Sequence, residues 1–179
     1  MGAEIGKGQV EASRHREATL AGLYEEYYIK IARYALVRIG NRTEAEDLAG
    51  EVFLRALESL KLYQERGIPM QAWLFRIAHN LVVDHLRKRA KHKTVSIDTL
   101  QIESGMSPAT IAEENIEFEK VNKAMEQLTP AQKEVIGLRF FSGFTSKEVG
   151  QILNKSDGAV REMQRAAIES LRKLLAIEH

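Results

Sequence analysis

A chain of 179 residues, 44% apolar and 28% charged, has the composition of a soluble globular protein, and no apolar run in it approaches the roughly 20 residues that a bilayer crossing needs. The absence of cysteine excludes a disulfide framework and thiolate metal ligands, and the first 18 residues lack a signal-peptide core, so a cytoplasmic location without membrane insertion is expected. The net charge of +1 conceals a segregation: residues 67–93 carry six basic groups and one acid, 94–119 carry six acids and no base, and 120–179 carry ten bases and seven acids. Nucleic acid would attract the first and last of these blocks and repel the middle one.

In chain order, residues 1–17 show no sustained period and are expected to form a flexible tail. Leu23, Tyr27, Ile31 and Tyr34 then recur at helical spacing, predicting a helix that stops at Gly40-Asn41. A second helix is predicted from the capping-box pattern Thr43-x-x-Glu46. It places Ala45, Leu48, Ala49, Val52, Phe53, Ala56 and Leu60 inward and an acidic face outward. After the turn Gly67-Ile68-Pro69, a third helix runs from about Met70 to the cluster Arg87-Lys88-Arg89. These three helices make a first domain over 18–93.

Residues 94–119, rich in serine, threonine, glycine, proline and acids, are read as a flexible linker with some helical tendency in the last third. A second domain over 120–179 follows. Thr129-Pro130 with Gln132 opens one helix, Thr145-x-x-Glu148 caps another that ends near Leu153, and Asn154-Lys155-Ser156 turns the chain into a last helix reaching about Leu175. The expected fold class is all-α: two small helical domains, with no strand-like alternation and no internal repeat.

Two helix faces have the chemistry of nucleic-acid contact. On the third helix Arg76, Asn80, Val83 and Arg87 share a stripe away from Leu74, Ile77, Ala78 and Leu81, and Lys88 continues the basic run. Arginine reaches phosphates or guanine edges and an asparagine amide reads a base; a solvated surface face is the competing reading. Trp73 fits either a stacking platform or the core. On the last helix Arg161, Arg165 and Arg172 form an outer row opposite Val160, Met163, Ala167, Leu171 and Leu174, and the preceding turn gives the pair of helices the spacing of a helix-turn-helix. Glycine phosphate loops, serine elbows and paired metal-ligand histidines are absent from the sequence, so no catalytic residue, metal or cofactor is expected. His79, His85 and His92 read as surface or boundary side chains.

Ala45-Glu46-Asp47-Leu48, Glu51-Val52-Phe53-Leu54-Arg55-Ala56-Leu57, Ala72-Trp73-Leu74-Phe75-Arg76-Ile77-Ala78-His79-Asn80 and Asp84-His85-Leu86-Arg87-Lys88-Arg89 resemble the first conserved domain of extracytoplasmic-function sigma factors. Leu128-Thr129-Pro130-Ala131-Gln132, Leu138 to Thr145, Glu148-Val149-Gly150 and Ser156 to Arg161 resemble that family's fourth conserved region. The resemblance covers about residues 20–175 and implies a promoter-specificity subunit of bacterial RNA polymerase. Its implied partners are core polymerase (the beta-prime coiled coil and the beta flap), promoter DNA and an anti-sigma factor. By motif position, Glu46, Asp47 and Glu51 would meet polymerase. Gln64, Arg66, Arg76, Asn80, Val83, Arg87 and Lys88 would hold the minus-ten element, and Lys155, Ser156, Arg161, Glu162 and Arg165 would read the minus-thirty-five element. The acidic linker is similar to family linkers that thread the polymerase's RNA path. Gly50, Met163 and Ala166 depart from the family's usual polar or basic residues. With the chain ending at His179, no C-terminal sensing domain is expected. The alternative is a helix-turn-helix regulator of the response-regulator kind, although residues 20–93 lack the strands of a receiver; a third class is an interaction module that does not read DNA.

Overall fold

The computed structural model describes residues 2–63, 67–95 and 115–177. Seven α-helices occur among the described residues: α1 (Gly2–Ile39), α2 (Arg42–Ser59), α3 (Met70–Val95), α4 (Asn115–Glu126), α5 (Pro130–Ile136), α6 (Ser146–Leu153) and α7 (Asp157–Ile177). A short 3-10 turn at Leu60–Leu62 follows α2, and a π-helical turn at Gly137–Phe141 extends α5. No described residue is in a strand.

Two expectations are corrected at the amino-terminal end. Helix α1 begins at Gly2, so the segment read as a tail is helical. Between Val10 and Thr19 it is held by local bonds rather than by burial, with Ser13 Oγ donating to Glu17 Oε1 at 3.2 Å and Thr19 Oγ1 to the His15 carbonyl at 2.9 Å. From Gly8 onward, Leu20 is the first side chain to enter the core, which is why an apolar period could not find the turns just before it. The cap of α2 is Asn41, not Thr43. The Asn41 side chain accepts from the Glu44 amide at 3.0 Å, and Glu46 instead takes Arg42 Nε at 2.9 Å. Gly40, at φ +76, supplies the left-handed residue that ends α1, donating its N–H to the Leu36 carbonyl.

The other caps follow the sequence. Thr129 and Thr145 each close a reciprocal capping box, with Gln132 and Glu148, and Pro130 sits in the first turn of α5. Helix α6 ends at Asn154 in the left-handed conformation (φ 54), after which Asp157 opens α7. This turn passes so close to α6 that a Cβ on Gly150 would lie 2.5 Å from the Lys155 carbonyl oxygen. Glycine is required there by sterics, and the Lys155 amide bonds the Gly150 carbonyl at 2.9 Å.

Helices α1, α2 and α3 form the first lobe, burying Ile31, Tyr34, Ala49, Val52, Leu74, Ala78 and Val82. Helices α4 to α7 form the second around Leu128, Val135, Leu138, Val149, Ile152, Val160 and Ala167. The two cores are continuous. Phe144 of the second lobe stands edge-on to Phe75 of the first, with ring centres 4.6 Å apart, and stacks over Tyr27 at 6.4 Å; Gly137 fits against the Tyr34 ring. The inward stripe expected on α3 is therefore widened by Phe75, which faces both lobes.

Candidate nucleic-acid and polymerase interfaces

The acidic face of α2 is built by its buried Ala45-Leu48-Ala49-Val52-Ala56 stripe, which fixes the opposite side outward. Glu46, Asp47 and Glu51 are all exposed. Glu51 holds Arg55 at 2.7 Å, an i,i+4 pair that leaves both groups half in water. Sequence reading missed the apolar part of this surface: Leu54 and Leu57 are 65% and 54% exposed on the same helix. Their place off the inward stripe was the available signal, because two leucines three residues apart on one outward side of a helix bring apolar surface together rather than scattering it.

On α3, Asn80, Arg87 and Lys88 are exposed and Val83 is half-buried, so most of the expected row faces outward. Arg87 pairs with Asp84 at 3.5 Å. Arg76 differs: its guanidinium donates to the carbonyl oxygen of Gln151 in α6, so the second lobe covers it. Gln151 in turn donates through Nε2 to the Gly67 carbonyl at 3.1 Å, tying α6 to the turn before α3. Gln64 and Arg66 lie outside the described residues, as do residues 96–114 of the expected linker. Trp73 is half-buried, packed against the core and tilted on Tyr63 at 5.0 Å, and the Tyr63 hydroxyl donates to the Ile68 carbonyl at 2.9 Å.

Lys155 and Ser156 in the turn before α7, and Arg161, Glu162, Arg165 and Arg172 on it, are all exposed. Val160 and Ala167 are buried and Met163, Leu171 and Leu174 half-buried, so the helix presents its arginines to solvent along one side. Each of the first two arginines rests on an acid of its own helix, Arg161 on Asp157 and Arg165 on Glu162 (2.9 Å). Asp157 also accepts from Ser146 Oγ. That hydroxyl first, and Arg161 besides, hold the Asp157 carboxyl below its usual range. Ser156 Oγ accepts from the Ala159 amide, capping the first turn of α7. Arg139 Nε donates to Gln164 at 2.7 Å and fixes α7 against the π-turn.

A further polar cluster, absent from the sequence reading, lies between the lobes. Glu134 of α5 is buried and its Oε1 receives Arg38 Nη1 at 2.7 Å and His79 Nδ1 at 2.5 Å, with the Tyr34 hydroxyl at 3.5 Å. Burial alone would push the Glu134 carboxyl up, but His79 and Arg38 outweigh it and hold the group below its usual value. Burial, with Glu134 beside it, pushes the Tyr34 phenol up, so it remains a hydroxyl. No cluster of three or more metal-ligand side chains and no helix apolar and long enough to cross a membrane occurs among the described residues.

Two family models match the chain in order: Sigma-70 region 2 over residues 23–92 and Sigma-70, region 4 over residues 124–173. Among curated relatives, the ECF RNA polymerase sigma factor BldN of Streptomyces coelicolor is 33% identical over 171 residues, covering 93% of this chain and 64% of BldN. The ECF RNA polymerase sigma factor SigL of Mycobacterium tuberculosis is 28% identical, covering 92% of this chain and 93% of SigL. Among solved structures, the fold is similar to the sigma factor RpoE of Bartonella quintana, crystallised with the anti-sigma factor NepR (TM-score 0.75, 22% identity, 89% of this chain and 98% of that one). It is also similar to CnrH in complex with the cytosolic domain of CnrY (TM-score 0.69, 22% identity, 95% and 96%). With both sigma-70 regions present in the same order on two helical lobes, the chain belongs to the extracytoplasmic-function group of the sigma-70 family.

Proposed function

We propose that this chain is the promoter-specificity subunit of a bacterial RNA polymerase: it binds core enzyme, recognises two upstream promoter elements and promotes opening of the duplex, while polymerase supplies the chemistry. The observation that carries this is the presence of two cationic helix faces, on α3 and α7, in lobes that match two sigma-70 regions. In this reading Arg161, Glu162 and Arg165, with Lys155 and Ser156 at the turn, enter the major groove of the minus-thirty-five element. Asn80, Val83, Arg87, Lys88 and Arg76, joined by Gln64 and Arg66, hold the melted minus-ten strand.

Glu46, Asp47 and Glu51 dock on the beta-prime coiled coil, where charge complementarity steers the encounter and the exposed Leu54 and Leu57 supply apolar contact; the second lobe meets the beta flap. The protein works in the cytoplasm, and a separate anti-sigma factor restrains it, as NepR accompanies RpoE in the similar structure. The test is transcription from a promoter library with purified core polymerase and the full chain, alongside retention of core polymerase by the immobilised chain. Promoter-selective transcripts and retention that weakens on Asp47→Lys with Glu51→Lys are expected. A folded chain that neither retains polymerase nor selects promoters would sink the proposal.

A further inference from the structure

We propose that Glu134, bound by Arg38 and His79, is a latch that holds the two lobes closed and thereby withholds Arg76 from DNA. The inference rests on the sigma-factor reading for its biological meaning and adds the regulation of that same site. Its physical basis is the sidedness of the cluster: the carboxylate comes from α5, while Arg38 and Tyr34 come from α1 and His79 from α3. The Arg38 and Glu134 side chains are only 6% and 11% exposed, so the pair exists as a buried contact only while the lobes touch.

Around it, Phe144 fills the gap between Tyr27 and Phe75, and Gln151 caps Arg76 with its carbonyl while its amide bonds Gly67. Closing the lobes thus buries the cluster and covers Arg76 in one movement. Arg76 is the only member of the α3 row that bonds the second lobe among the contacts described above; Asn80, Arg87 and Lys88 stay in solvent.

The choice of charged groups suits a contact that must open. A buried ion pair gains little net stability because its partners are well solvated once released, whereas removing one partner leaves the other buried and uncompensated. A wholly apolar seam would hold the lobes more permanently and leave a sticky face when parted. With Glu134, Arg38 and His79 set beside Phe144, Phe75 and Tyr27, the opened faces carry polar groups next to the aromatic contact, and the polar contact forms only when all three groups meet. A larger partner that engages the α2 face and α7 at a spacing the closed lobes do not allow favours the open state, because it then binds that state more tightly.

The experiment uses the full chain and needs no DNA. Arginine modification by phenylglyoxal, read by mass spectrometry, measures access to Arg76 against Arg87 in the same molecule. Since reaction at a covered group follows the open population, Arg76 in the wild type should react about tenfold more slowly than Arg87. Glu134→Gln keeps the shape of the side chain but strands the Arg38 charge, and should bring the two rates to within about threefold while small-angle scattering shows a larger radius of gyration. Gly137→Val provides a second route, since a Cβ there would stand 3.0 Å from the Tyr34 ring and wedge the seam without altering a charge.

Both variants opening supports the latch. A Glu134→Gln chain with native helicity and wild-type protection of Arg76 overturns it. So does opening by Gly137→Val alone, because packing rather than the charged cluster would then hold the seam. Failure of the polymerase assays would leave these rates unaffected, so the two proposals fail separately.

Discussion

The cationic rows of α3 and α7 have similar sequence signatures but different availability. On α7, the exposed Arg161 and Arg165 are paired with acids one turn away on their own helix. Such exposed pairs add little net stability, because water and salt screen them, and they exchange readily for phosphate or a base edge. On α3, Arg76 is bonded to a main-chain carbonyl of another lobe, and freeing it requires α6 to move. The helix proposed to read duplex is thus presented in solvent, while the face proposed to hold a melted strand has one of its arginines engaged by the other lobe. That difference suits a protein whose second interaction follows the first.

The largest way to break this comparison is at the ring both lobes share. Phe75 is fully buried and touches Tyr27, Tyr34 and Phe144, with centroids 5.9, 6.1 and 4.6 Å away. Phe75→Ala should cost about 3–5 kcal/mol through lost transfer energy and the residual cavity. Calorimetry should show both lobes melting earlier, and a variant losing under about 1 kcal/mol would mean that the cores are not continuous. Gly150→Ala acts on one side alone. Its Cβ would collide with the main chain of the α6–α7 turn, so about 1–3 kcal/mol should be lost from the second lobe, with α7 displaced and duplex binding reduced. An unchanged melting temperature would show that the turn can yield.

The third prediction sharpens the contrast between the rows. Arg161→Ala should weaken binding to duplex promoter DNA by about 1–3 kcal/mol, whereas Arg76→Ala in the closed free protein should leave that binding nearly unchanged. Fluorescence anisotropy with the same duplex measures both. Equal losses would mean that Arg76 is already accessible, and no loss on Arg161→Ala would remove that residue as a reader.

Much of this could be read from residue order. Helical spacing located α2, α3, α6 and α7, and the reciprocal boxes at Thr129 and Thr145 formed as written, because these signals depend only on neighbours within four residues. Asn41 won over Thr43 as the cap of α2 because it directly follows the left-handed Gly40 that ends α1, which leaves Asn41 extended and free to accept. Of the proposed contacts, the exposed acids of α2 and arginines of α7 are where periodicity puts them. Arg76 and Glu134 escaped it: both lie on helix faces that a single-helix projection assigns to solvent, and both are covered by an element about a hundred or seventy-five residues away. Local pattern carries no term for that encounter. Gly137, which lets the Tyr34 ring approach the second lobe, is its faint trace.

The smallest predicted effect separates two caps that look alike in sequence. Thr129 Oγ1 accepts from the Gln132 amide at 3.3 Å, and the neutral Gln132 side chain returns a bond to the Thr129 amide at 3.1 Å; Gln132 is also anchored by Ser170 of α7 at 2.9 Å. Thr145 uses a carboxylate instead, with Glu148 Oε2 accepting from both the Thr145 amide and its hydroxyl at 2.8 Å. Charge-assisted bonds are the stronger kind, and an acid in the first turn also opposes the helix dipole's positive end. Removing the Thr145 hydroxyl therefore takes away a bond to a charge, while removing that of Thr129 leaves Pro130 and the Ser170 anchor in place. Thr145→Ala should cost about 1–2 kcal/mol and Thr129→Ala about 0.5–1 kcal/mol, a difference of a few degrees in melting temperature. The reverse order would mean that the bond from Gln132 to α7, rather than the charge at the cap, governs how firmly these helix starts are held.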